Sequence, residues 1–156
     1  ADMFETMDTA PGVGLAAPQV GVPLRLYTYS YVDDDDEPWR GVIINPELWM
    51  VPLEPGAPDD DLESEGCLSF PGERFALRRS ERVRVSGTDL EGRPVEIAVD
   101  GWRARIMQHE FDHLDGILYI DRLDDSDWKT TQKIAKKRGW GRPGVAWMPG
   151  VDDLDA

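Results

Sequence analysis

Apolar and polar positions change period several times along this chain, and each change marks an element. Met3, Phe4 and Met7 in "MFETM" share one helical face. "PLRLYTYSYV" (residues 23–32) and "GVIIN" (residues 41–45) are rich in β-branched and aromatic residues and read as strands. In "RVRVSGTDLEGRPVEIAV" (residues 82–99), Val83 and Val85, then Val95, Ile97 and Val99, alternate with polar residues around a Gly-containing turn. That pattern predicts a hairpin with one buried face, and Pro94 places its second strand near a sheet edge. From Trp102 to about Asp115 the period lengthens. Ile106, Met107, Glu110, His113 and Leu114 follow helical steps, and Gly116 supplies the stop.

Composition narrows the class. The 156 residues, 40% apolar, suit one globular domain over residues 1–156. The opening "ADMFETMDTA" has no basic n-region, no apolar h-region and no initiator Met, so a trimmed chain or part of a longer one is expected. The tail from about residue 140, rich in Gly and Pro, is expected to be loosely ordered. No apolar run is long enough for a membrane span. A single cysteine, Cys67, excludes an intrachain disulfide and makes a reducing compartment, the cytoplasm, the expected location. The formal charge of −14 argues against a general nucleic-acid or anionic-membrane binder, and no specific DNA partner is expected. "DDDDEPW" (residues 33–39) and "EPGAPDDDLESE" (residues 54–65) read as acidic surface loops, without the glycine-centred spacing of a calcium loop. The one basic cluster, "KIAKKRGWGR" (residues 133–142), reads first as a solvated helix end.

The candidate chemistry lies in "QHEFDHLDG" (residues 108–116), which holds both histidines of the chain. Residues four apart on a helix sit about 40° apart around the axis and about 6 Å along it, so two imidazoles can meet one ion. Glu110, next to His109, points about 100° away, which suits a carboxylate poised over metal-bound water rather than a third ligand. The competing reading is a buried helix with two hydrogen-bonded histidines and a salt-bridged glutamate, and it leaves the spacing unexplained. A catalytic site of this kind needs a third protein ligand. In metzincin proteases it is the last histidine of HExxHxxGxxH, but Tyr119 stands at that position here. The acids after Tyr119 are all aspartates, so the downstream glutamate of thermolysin-like enzymes has no counterpart. Cys67, in "EGCLSFPGE" with the turn signals Gly66, Pro71 and Gly72, is the economical third ligand. Strands come first and the long helix later, so the expected fold class is α+β, small antiparallel sheets packed around a central metal-binding helix that carries HExxH. Donor types alone favour zinc.

"GVGLAAPQ" (residues 12–19), "EGCLS" (residues 65–69) and "QHEFDH" (residues 108–113) resemble, in order and spacing, the three signature motifs of the bacterial peptide deformylase family. The resemblance covers nearly all of residues 3–122, and the EGCLS form is similar to type I members. It implies metal-dependent hydrolysis of the N-formyl group from the formyl-methionine of nascent polypeptides, releasing formate. It further implies that Cys67, His109 and His113 hold one divalent metal ion and that Glu110 is the general acid/base. The Gln19 side chain and the Leu68 backbone N–H would stabilise the oxyanion, and preorganised donors of that kind are worth about 3–4 kcal/mol each. Val13, Gly14, Glu65, Arg74, Trp102, Arg105 and Ile106 match positions that line the substrate channel. Gly12 and Gly14 would leave backbone exposed for an edge-on peptide. The resemblance favours Fe2+ in the cell, with Zn2+, Ni2+ or Co2+ in purified protein. It also suggests contact with the ribosome exit region through residues 133–138.

Two other readings compete. A zincin-type metallopeptidase is supported by HExxHxxG and opposed by the Gln19 and Cys67 motifs. A homologue that binds without turnover would have no need of Glu110.

Overall fold

The computed structural model describes residues 2–33 and 37–152, so the first acidic loop lies partly outside the described residues. In chain order the elements begin with α1 (Asp2–Thr9), β1 (Gly14–Ala16), a 3-10 turn (Ala17–Val20), β2 (Leu26–Val32) and β3 (Pro38–Met50). The hairpin strands β4 (Ser64–Cys67) and β5 (Phe70–Ala76) follow, then β6 (Arg82–Thr88), β7 (Pro94–Asp100) and α2 (Gly101–Leu114). A second 3-10 turn (Tyr119–Arg122) and α3 (Asp125–Arg138) complete the set. The fold class is α+β, as the period changes predict. The chain divides into two compact units, Ala1–Gly56 with Arg79–Ile117, and Ala57–Arg78 with Leu118–Ala156.

The first unit is an antiparallel sheet in the order β1-β2-β3-β6-β7, with α2 packed on it. Its core joins Ala104, Ile106 and Met107 of α2 to Ala16, Tyr27, Tyr29, Ile43, Val83 and Val85 of the strands. Full burial of a Val, Ile or Met side chain contributes about 1.5–3 kcal/mol, so this interface holds the helix to the sheet. The hairpin prediction holds residue by residue. Val83 and Val85 are buried between exposed Arg82 and Arg84, and β7 is an edge strand that begins at Pro94. β2 breaks the alternation, because Tyr27, Thr28 and Tyr29 are all buried. Thr28 is covered from the other side by Met7 of α1, its hydroxyl lying 3.6 Å from Met7 Sδ and 3.3 Å from the Leu15 carbonyl. α1 is further tied to β3 by a bidentate Arg40–Asp8 pair, whose hydrogen bonds hold the Asp8 carboxyl below its ordinary range.

The "GVIIN" strand proves to be the middle of a 13-residue strand. Pro46 would end a regular strand, having no N–H for the ladder. β3 absorbs it in a bulge between Ile44 and Glu47, with Asn45 at φ 49°.

α2 stops where expected. Gly116 takes φ 72°, and the Ile117 and Gly116 N–H groups close on the carbonyls of Asp112 and His113 at 2.9 and 3.2 Å, a Schellman cap.

The second unit pairs the β4–β5 hairpin with a cluster of Phe70, Leu77, Tyr119 and Ile120, joined by Cys67, Phe75, Ile134 and Trp140. "EGCLSFPGE" is therefore a hairpin rather than an open loop. Its turn signals act within the pairing, which shifts register between Gly66 and Cys67. α3 is capped by Asp124, which accepts from Ser126 and Asp127 N–H at 2.8 and 2.9 Å. Its first turn is acidic and its last turn carries Lys136, Lys137 and Arg138, charges that complement the helix dipole.

Candidate active site

α2 carries His109 and His113 one turn apart, with ring centroids 4.8 Å apart and planes at 77°. The residue before each histidine is anchored within the first unit. The Gln108 amide accepts from Ser80 N–H at 3.0 Å and donates to the Ser80 carbonyl at 2.9 Å. Asp112 pairs with Arg79 at 2.6 Å, with both side chains less than a tenth exposed. These two links lock the rotation of the helix about its axis. Neither partner is marked by the sequence pattern, because Ser80 and Arg79 lie about thirty residues upstream in a segment without regular period.

Glu110 is 3% exposed and abuts β1. Gly14 is buried, not exposed as its motif suggested, and it is glycine for a steric reason. A Cβ built on it would fall 2.7 Å from Glu110 Cγ and 2.5 Å from Cδ. The carboxylate's charge is felt nearby. Burial first, and the Glu110 charge second, push the Tyr27 phenol well above its ordinary pKa. Gln19 Oε1 accepts the Ala16 N–H at 2.8 Å, which directs the oxygen to the backbone and leaves the amide nitrogen as the donor end.

Cys67 ends β4 and is half-buried, and the Ser69 N–H donates to its Sγ at 3.3 Å. Tyr119, at the place of a metzincin's third histidine, is wholly buried in the second unit's cluster, with its hydroxyl 3.2 Å from the Glu73 carbonyl. Burial first, then the charges of Cys67, Glu65 and Glu73, raise its pKa.

Cys67, His109 and His113 form a group of donor residues that could hold a metal ion. A thiolate and two imidazoles suit zinc, and equally ferrous iron, cobalt or nickel.

The expected substrate-channel residues differ in setting. Val13 is half exposed, and its carbonyl accepts from Ser30 N–H at 2.8 Å. Trp102 is exposed at the start of α2, with the Arg105 guanidinium 5.2 Å over its ring. Ile106 is 3% exposed and belongs to the core of the first unit. Glu65 is buried, and Arg74 turns back along the hairpin to donate to the Ser64 carbonyl at 2.5 Å.

A buried glutamate next to the first of two histidines one helical turn apart defines the class, a metal-dependent hydrolase of the HExxH kind. Comparison with known proteins agrees. The sequence profile described as polypeptide deformylase matches residues 1–129. Peptide deformylase of Rhodococcus opacus (strain B4) is 48% identical over 155 residues, 97% of this chain and 79% of that protein. Peptide deformylase of Mycobacterium marinum is also 48% identical, over 96% of this chain and 77% of its own length. Among solved structures, peptide deformylase from Thermus thermophilus aligns with TM-score 0.71 at 39% identity, covering 87% of this chain and 76% of that one. The Synechococcus elongatus peptide deformylase, solved in complex with actinonin, aligns with TM-score 0.71 at 38% identity, covering 92% and 74%. The chain belongs to the polypeptide deformylase family. Its activity is the family's, hydrolysis of the N-formyl group from nascent polypeptides, and the metallopeptidase alternative is not favoured. No helix among the described residues is long and apolar enough to cross a membrane.

Proposed function

We propose that residues 1–156 act as one catalytic domain in the cytoplasm, with Cys67, His109 and His113 holding Fe2+ in the cell. The observation that supports the reading is that Cys67, His109 and His113 make up a candidate metal-binding group of the right donor types. A divalent ion held by these residues would supply Lewis acidity, making a water acidic enough to ionise near neutral pH. Glu110, at the adjacent position on the same helix, would take the attacking water's proton on its carboxylate and return it to the leaving amine. The Gln19 amide N–H and the Leu68 backbone N–H stabilise the oxyanion that develops on the formyl oxygen. Both are neutral donors and so do not repel a cation. β1 is an edge strand of the five-stranded sheet, paired only with β2 among the described residues, and its unpaired edge is where an extended peptide would add as a further strand. Val13, Gly14, Glu65, Arg74, Trp102, Arg105 and Ile106 contribute to the substrate channel. In this arrangement the Arg105 stem presents its methylenes while its charged head lies over Trp102. The basic end of α3, with Lys133, Lys136, Lys137 and Arg138, faces the ribosome exit region.

The test is formate release from an N-formylmethionyl tripeptide by protein purified without oxygen and loaded separately with iron, nickel and zinc. Rapid release that stops on chelation and returns on adding the ion supports the reading. Cleavage of internal bonds in unformylated peptides would replace it with the metallopeptidase alternative.

A further inference from the structure

The segment after α3 lies outside the residues matched by the family profile. It returns to the hairpin turn that bears Cys67, and it does so through two tryptophans of the second unit. α3 ends at Gly139 with φ 73°, and Trp140 then packs edge-on against Phe70 at the start of β5, ring centroids 5.0 Å apart. Seven residues on, the half-buried Trp147 donates its indole N–H to the Leu68 carbonyl at 2.8 Å.

The Leu68 carbonyl and the Ser69 N–H belong to one planar peptide group. That N–H donates to Cys67 Sγ at 3.3 Å. A single peptide is therefore gripped at both poles, with indole N–H on its oxygen and cysteine sulfur on its hydrogen. Accepting a hydrogen bond at the oxygen polarises the N–H and strengthens the bond it donates, by about 10–30% in condensed-phase estimates. It also restrains rotation about the Leu68 backbone, and with it the direction of the Leu68 N–H on the preceding peptide.

We infer that Trp147 is a positioning residue for the metal site, acting through the Leu68–Ser69 peptide to orient and tune Cys67 as a ligand. The inference rests on the reading of Cys67 as a metal ligand. Hydrogen bonds to a ligand's donor atom set its basicity and orientation, and loss of a direct outer partner typically costs ~10–100-fold in metal affinity. Trp147 acts one bond further out, so its loss costs less, about fivefold on the same scale.

The experiment compares full-length wild type, Trp147→Phe, Trp147→Gln and Cys67→Ser, in zinc-loaded and metal-free forms. Trp147→Phe keeps a ring and loses the donor, while Trp147→Gln keeps an N–H donor without the indole. Two readouts are taken, zinc affinity by chelator competition and the Ser69 amide proton shift by NMR. The expected result is that Trp147→Phe moves the Ser69 amide proton upfield and weakens zinc binding about fivefold, with Trp147→Gln in between. An unchanged Ser69 shift and unchanged affinity in folded Trp147→Phe would overturn the inference. Should Trp147→Phe fail to fold, the Trp147→Gln protein decides alone: a zinc affinity lowered by less than about fivefold with an upfield Ser69 amide supports the inference, and a loss of about fivefold or more despite the retained donor would mean that packing, not the hydrogen bond, matters. Zinc binding undiminished in Cys67→Ser would instead remove the ligand reading, and the Ser69 shift of the metal-free protein would still report on the relay.

Discussion

Gly14→Ala isolates the positioning of Glu110 from everything else in the site. Gly14 is a strand residue without positive φ, so alanine suits its backbone and any effect is steric. The new methyl would lie 2.7 Å from Glu110 Cγ and 2.5 Å from Cδ, where ordinary contact begins at 3.4 Å. The carboxylate side chain, or β1, must therefore move by most of an ångström. Glu110 is 3% exposed and has little room, so the displacement falls on the group proposed to transfer the proton. A misplacement of about 1 Å costs on the order of 10²-fold in rate, whereas overpacking one methyl costs about 1–3 kcal/mol in stability. The expected result is a kcat about 10²-fold below wild type, with one ion still bound per chain. The assay is formate release at saturating formyl-peptide, paired with metal analysis and urea unfolding of the same samples. A kcat within about threefold of wild type, in a protein that still binds metal, would refute the argument that this glycine exists to seat the carboxylate.

Other outcomes follow from the same geometry. Arg79→Leu leaves Asp112 charged and buried, and it should lower unfolding free energy by about 3–5 kcal/mol in urea titrations; a loss under about 1 kcal/mol would mean that the pair is effectively solvated. Glu110→Gln should lower kcat by roughly 10²–10⁴-fold while metal content stays at one ion, and loss of the ion instead would make Glu110 a structural support for the ligands. Gln19→Leu should cost about 10²–10³-fold in kcat, with formyl-peptide KM nearly constant, and a change in KM alone would assign Gln19 to ground-state binding. The Tyr27 phenol is held above its ordinary 10.0 by burial and by Glu110. Its folded value exceeds its unfolded one, so its contribution to stability is full below about pH 10 and is lost as pH rises beyond it. Tyr27→Phe should therefore flatten the decline of stability above about pH 10, and identical slopes in variant and wild type would exclude Tyr27 as its source.

Some of this molecule was legible in one dimension. The β6–β7 hairpin, α1, and α2 with its stop at Gly116 are all local, because strand alternation, helical spacing and a positive-φ cap each depend on residues within a few positions. The histidine pair on α2 is local for the same reason, since i and i+4 share a face in any helix. Elimination pointed to Cys67 as the candidate third donor, there being a single cysteine and no downstream glutamate. Other features escape the pattern. "GVIIN" reads as a short strand, yet β3 continues through Pro46, because a bulge stabilised by two neighbouring strands overrides the local signal against extension. The glycines of "GVGLAAPQ" suggest exposed backbone, and nothing in that motif says that a carboxylate 96 residues later will occupy the space of Gly14's missing side chain.

Local pattern was enough for the periods, the caps, the chemistry of the donors and, through three spaced motifs, the family. Which distant groups meet was settled by folding alone. It set Arg79 on Asp112, Ser80 on Gln108, Glu110 against Gly14 and Trp147 on Leu68. Periodicity reports which face of an element is apolar, whereas a hydrogen bond or ion pair between segments depends on chain path and register. Those are fixed by the burial of many residues at once, and no single spacing encodes them.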